Sequence, residues 1–159
     1  MKFEIVDIEE LSGSRAKIYS IMFDGEEYTL LDHFFEDNQK YEEEMKEIAL
    51  KLKVMGETTG CRENFFKVFE GSPGDGVVAL WYKNIRLYCL RYDNTCIFIG
   101  SGGYKPPEIR AYQEDPVLNE KVNQMKSIAA TINRAIIDKD LIIKDDGSIE
   151  QSEFINLEI

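Results

Sequence analysis

Residues 65–105 read FFKVFEGSPGDGVVALWYKNIRLYCLRYDNTCIFIGSGGYK, and this stretch decides the fold. Three runs rich in β-branched and aromatic residues, VVALWY, IRLYCLRY and TCIFIG, are separated by Lys83-Asn84 and Asp93-Asn94, pairs that turn a chain tightly. GSPGDG leads in and GSGG leads out, and both read as loop bends. The pattern predicts a three-stranded β-meander.

Two-residue turns would set Tyr82 opposite Ile85 and Tyr92 opposite Thr95. The alternation of side chains along a strand then sorts the residues onto two faces. One face carries Val78, Leu80, Tyr82, Ile85, Leu87, Cys89, Cys96 and Phe98, and reads as core. The other carries Val77, Ala79, Trp81, Arg86, Tyr88, Leu90, Tyr92, Ile97 and Ile99. That face is too apolar to be left in water, so a second element is expected to cover it. Arg86 across from Trp81 fits a cation–π pair. A slip of one residue would exchange the faces.

Working outward, KFEIVDI alternates as a strand, and AKIYSIMF followed by Asp24-Gly25 and EEYTLL predicts a hairpin. Asp32 and Asn38 are expected as N-caps of a short helical turn and a long helix. The long helix bears Tyr41, Met45, Ile48, Leu52 and Met55 on one stripe, opposite a charged face that includes Glu42, Glu43 and Glu44; Gly56 and Gly60 close it. Asp115-Pro116 opens a second amphipathic helix over residues 115–138, striped by Leu118, Val122, Met125, Ala129, Ile132 and Ile136. A short strand at residues 141–143, a turn at Asp146-Gly147 and an acidic tail over residues 139–159 complete the chain. The expected fold class is α+β, a twisted antiparallel β-sheet packed by amphipathic helices, in one domain over residues 1–159.

With 159 residues the chain suffices for one core. Its net charge of -11 and pI near 4.6 disfavour nonspecific binding to phosphate backbones and anionic membranes. The span from Gly60 to Tyr112 is the exception, with seven basic residues against five acidic ones. No leader pattern and no run of about 18 apolar residues occurs, so a cytoplasmic protein without a membrane partner is expected. Cys61, Cys89 and Cys96 lack metal or redox spacing and are expected as buried thiols.

Most chemical motifs fall away on inspection. GSGG matches neither dinucleotide nor P-loop spacing, and Pro106-Pro107 displaces any helix that would receive a phosphate. His33 is the only histidine, leaving no material for a histidine-based metal centre or triad. The acidic C-terminal run misses the alternate positions of a calcium loop. No cofactor or metal is expected. What remains is Arg86, Lys67, Tyr104 and Lys105, with Trp81, Tyr88 and Arg91 as substrate-binding neighbours. Cleavage of RNA through its 2′-OH needs cations for the phosphorane charge together with a proton donor and acceptor, which these residue types can supply.

A long amphipathic helix, a lysine-bearing segment and VVALWYKNIRLYCLRYDNTCIFIGSGGYKPPE together resemble the RelE/ParE toxin superfamily, in particular its phage-derived HigB-like branch. The resemblance covers residues 29–111, with residues 1–28 as extra N-terminal strands forming a hairpin and residues 115–138 as a helical addition. It implies a helical hairpin ahead of a twisted antiparallel sheet. It also implies a toxin component that cleaves messenger RNA on the ribosome and is neutralised by an antitoxin protein. By position Arg86 is similar to the family's strand arginine, Lys67 to the lysine before the central strands, and Tyr104 and Lys105 to its exit residues. Trp81 stands where the family often has an arginine, and the chain is acidic where active relatives are basic. The alternative expectation is therefore a non-catalytic protein-interaction module that keeps the toxin fold.

Overall fold

The computed structural model describes residues 1–67 and 76–159. In chain order the strands and helices are β1 (Phe3–Asp7), β2 (Lys17–Phe23), α1 (Leu30–Asp37), α2 (Glu42–Val54), β3 (Phe66–Lys67), β4 (Val77–Tyr82), β5 (Ile85–Tyr92), β6 (Cys96–Tyr104), α3 (Pro116–Ile137), β7 (Leu141–Ile143) and β8 (Ile149–Gln151). Residues 71–75 of the GSPGDG cluster lie outside those described. The fold is α+β, and its six-stranded sheet runs β1-β2-β6-β5-β4-β3. The sheet is mixed rather than wholly antiparallel, because β2 lies parallel to β6 while the other neighbours are antiparallel.

Two apolar layers hold this sheet. On one face Leu31 and Phe34 of α1 and Met45, Ile48 and Leu52 of α2 pack with Leu80, Ile85, Leu87 and Cys89. On the other, α3 lays Leu118, Val122, Met125, Ile128, Ala129 and Ile132 over Ala79, Tyr88, Leu90 and Phe98. Both helical stripes read from the sequence are thus buried, and the second sheet face has the cover its composition demands.

The β4–β5 register is the expected one, with Tyr82 opposite Ile85 and Trp81 opposite Arg86. The next turn differs. Tyr92 pairs with Cys96, so the loop holds Asp93, Asn94 and Thr95 rather than two residues. Two contacts draw this loop out of the ladder, Thr95 O accepting from Lys17 N at 2.8 Å and Asn94 O accepting from Cys61 N at 2.8 Å, and Asp93 takes a left-handed φ of 55°. The one-residue slip exchanges faces on β6: Ile97 and Ile99 join the α2 layer, while Cys96 and Phe98 join the α3 layer. GSGG is not a loop bend either but part of β6, where a bulge sets two residues, Gly100 and Ser101, against the stretch between Leu87 and Cys89.

The N-terminal hairpin forms between β1 and β2, with Phe3 opposite Phe23, so its second strand precedes Asp24-Gly25 instead of following it. EEYTLL is not a strand. Thr29 caps α1 by accepting from Asp32 N at 3.2 Å, and Asp32's carboxylate accepts from Thr29 N at 3.0 Å. This capping box makes Asp32 the third helical residue rather than the cap. Asn38 ends α1, its side-chain amide donating to Phe34 O at 2.8 Å, and Tyr41 precedes α2. Asp115 does cap α3, accepting from Val117 N and Leu118 N.

The acidic end of the chain is built into the fold. β7 is the expected short strand and Gly147, at φ 88°, lies in the expected turn; beyond it the acidic segment pairs back as β8 to complete a hairpin that was not expected. Beyond it Leu157 is buried, its carbonyl accepts from Phe3 N at 2.9 Å, and Glu158 bridges to Lys2. The tail thus runs along the β1 edge.

Candidate functional site

The β4–β5 hairpin gathers cations and aromatic rings. Trp81 projects near the sheet edge, and two ammonium groups approach its ring: Lys67 Nζ from β3 at 4.6 Å and Lys51 Nζ from α2 at 5.1 Å from the centroid. Lys51 also donates to Trp81 O at 2.9 Å and stands 5.7 Å from the Tyr82 ring. Burial disfavours its charged form and moves its pKa below the ordinary lysine value. Sequence reasoning missed Lys51. Its place beside Leu52, on the flank of the buried stripe, is the signal that turns it toward the sheet.

At the hairpin tip Glu43 of α2 accepts from Lys83 Nζ at 3.1 Å and from Tyr82 Oη at 3.2 Å. The hydrogen bond from Lys83 holds the Glu43 carboxyl below its ordinary pKa, and the same bond raises Lys83. Desolvation, then Glu43, raises Tyr82. Glu43 lies on the solvated helix face it was read on, and from there it ties α2 to the hairpin.

Arg86 lies on the α3 side of the sheet beside Trp81, and only 6% of it is exposed. Its Nη1 donates to Lys83 O at 2.8 Å and to Ile85 O at 3.1 Å, clamping the turn that Lys83 makes at φ 52°. Tyr104 occupies the adjacent row, opposite Ile85, so its side chain leaves the other face of the sheet. There it stacks on Tyr41 with centroids 5.2 Å apart and rings 5° from parallel. Lys105 donates its main-chain N–H to Asn84 O at 2.7 Å and its ammonium to Arg110 O at 3.1 Å. Tyr88 is buried edge-on to Tyr112, with ring centroids 6.2 Å apart. Arg91 is committed to loop structure, donating to Cys61 O at 2.6 Å and to Asn94 Oδ1 at 2.7 Å.

The structure therefore brings Lys67, Trp81 and Arg86 together and adds Lys51. It separates Tyr104 from Arg86 across the sheet and places Tyr88 in the core and Arg91 in a loop tie. The reason is register, since residues in neighbouring rows point to opposite faces.

The three cysteines are free and buried. Burial pushes the Cys61 thiol up to about 11 and moves Cys89 and Cys96 in the same direction. Among the described residues no group of three or more His, Cys, Asp or Glu side chains is arranged to hold a metal, and no helix is long and apolar enough to cross a membrane. The chain matches no family model, no curated protein and no solved structure.

Proposed function

We propose that the chain is a toxin-like protein of the RelE/ParE kind that acts on RNA at the Trp81 edge of its sheet. The observation that carries this reading is Trp81 with Lys67 and Lys51 over its ring. An indole offers a platform on which a base can stack, and cations beside it neutralise the phosphates on either side. The order of elements supports it too, with two helices, α1 and α2, ahead of β4, β5 and β6. On this reading Arg86 and Lys67 take up the phosphorane charge. Lys51, whose charged form is already disfavoured, is better placed than Tyr104 to move a proton. Lys105 contacts the strand at the exit from β6, and an antitoxin protein would cover the same edge.

A second reading, a non-catalytic interaction module on the same fold, is favoured by one observation. Arg86 is 6% exposed and spends Nη1 on two main-chain carbonyls, as a structural clamp would. Induced expression of the full chain, of Arg86→Ala and of Lys51→Ala/Lys67→Ala separates the two, with folding checked by circular dichroism. Growth arrest and messenger-RNA cleavage on ribosomes that vanish in the folded lysine pair support the toxin. Folded variants and parent that all leave growth untouched support the module.

A further inference from the structure

We infer that the crevice where β2 and β6 separate is a binding site for a small organic cation, an ammonium or guanidinium on a short aliphatic stem. The topology opens it. β2 and β6 are parallel neighbours that pair from Lys17 with Cys96 to Ser20 with Ile99, yet β2 continues to Phe23 and β6 to Tyr104. From the end of β2 the chain passes to α1, whose Leu31 and Phe34 pack on one face of the sheet while Leu30 reaches the other, and from the end of β6 it passes to α3 on that other face. Adjacent parallel strands whose following helices leave in opposite directions create a crevice outside their carboxyl ends, where open sheets hold ligands.

The groove at this place has a volume of about 240 Å³. α1 contributes His33 and Asp37, α3 contributes Glu120, Lys121 and Gln124, and β6 supplies Ser101. Ser101 is 7% exposed as a residue, and its hydroxyl, open to the groove, bonds to no described residue. It offers a ligand in the groove both a donor and an acceptor. The charges say which kind. Asp37 and Glu120 make no ion pair or hydrogen bond with a described residue, whereas the Lys121 ammonium is spent on Gly102 O at 2.7 Å. Beyond His33 a second groove is lined by Tyr28, Asp32 and Glu36, so the negative field extends outward. Leu30 and Val117 give the stem an apolar wall. The site lies on β6, two strands from Trp81, and does not depend on the RNA reading.

The test is an amide-resolved NMR titration of the full chain with agmatine, and separately with an acetylated, amidated Gly-Arg-Gly peptide. Saturable shifts confined to the ends of α1 and α3 and to Ser101 are expected. Asp37→Asn/Glu120→Gln should weaken binding about tenfold, and Ser101→Ala should weaken it less. Agmatine alone binding identifies a free amine as the source; equal binding of the peptide identifies a partner's arginine. Failure of both to saturate overturns the site. So does an equal loss on Glu9→Gln/Glu153→Gln, exposed surface changes that remove the same charge elsewhere, because binding would then follow overall acidity alone.

Discussion

A β-carbon on Gly102 would stand 1.8 Å from the carbonyl oxygen of Arg86. Two central strands thus approach through a position where only glycine fits, next to the β6 bulge. This contact sets the path of β5 just where Arg86 clamps the hairpin turn.

Gly102→Ala is therefore expected to destabilise the protein by about 3 kcal/mol, because the clash is with backbone and no rotamer relieves it. Urea denaturation measures this. Gly25→Ala, in an open turn with nothing within 4 Å of the added carbon, should cost less despite its positive φ. Equal losses at the two positions would refute the packing argument.

Lys51 and Lys67 over Trp81 make a quantitative statement about salt. If both meet phosphates of a single strand, binding of the protein to an oligoribonucleotide should weaken with salt, and removing the two lysines should flatten the log–log slope by about 1.4. Filter binding across a salt series gives the number. A slope unchanged in the folded double variant would remove these lysines from any RNA contact.

Stability should fall at alkaline pH. Burial raises Cys61 from about 9 to about 11, so the folded state keeps a proton that the unfolded chain loses. The stabilisation is complete below about pH 9 and disappears as pH passes about 11. Cys89 and Cys96 act in the same direction. Urea midpoints in reductant from pH 8 to about 11 should decline, less steeply in Cys61→Ala. A flat profile for the parent would contradict the burial of these thiols.

Leu157 of the C-terminal segment is buried in the α3 layer, and its carbonyl accepts from Phe3 N. Leu157→Ala should cost about 2–4 kcal/mol. Deleting residues 152–159 should lower the melting temperature markedly. A truncated chain as stable as the parent would show that the tail contributes nothing to the core.

The candidate site was only partly legible. Trp81 beside Arg86 follows from the turn at Lys83-Asn84, because a two-residue loop leaves one register open and the alternation does the rest. Lys51 was not legible, as its approach to Trp81 depends on how far α2 lies from the strand edge. Tyr104 was grouped with Arg86 by residue type, yet it pairs with Ile85 and so leaves the opposite face, and the β5–β6 loop holds three residues rather than two. Nothing in DNT announces that Asn94 and Thr95 give their carbonyls to Cys61 and Lys17, both distant in the chain.

By itself the sequence determined what repeats locally: the stripes of α2 and α3, the cap at Asp115, the β4–β5 pairing and the burial of three thiols. Period, turn chemistry and hydrophobicity act within a few residues, so these were readable. Only the tertiary structure decided that β2 runs parallel to β6, that the faces of β6 exchange, that EEYTLL opens a helix, and that a crevice forms where those strands part. Each of these rests on hydrogen bonds and packing between residues far apart in the chain, and local propensity carries no record of them.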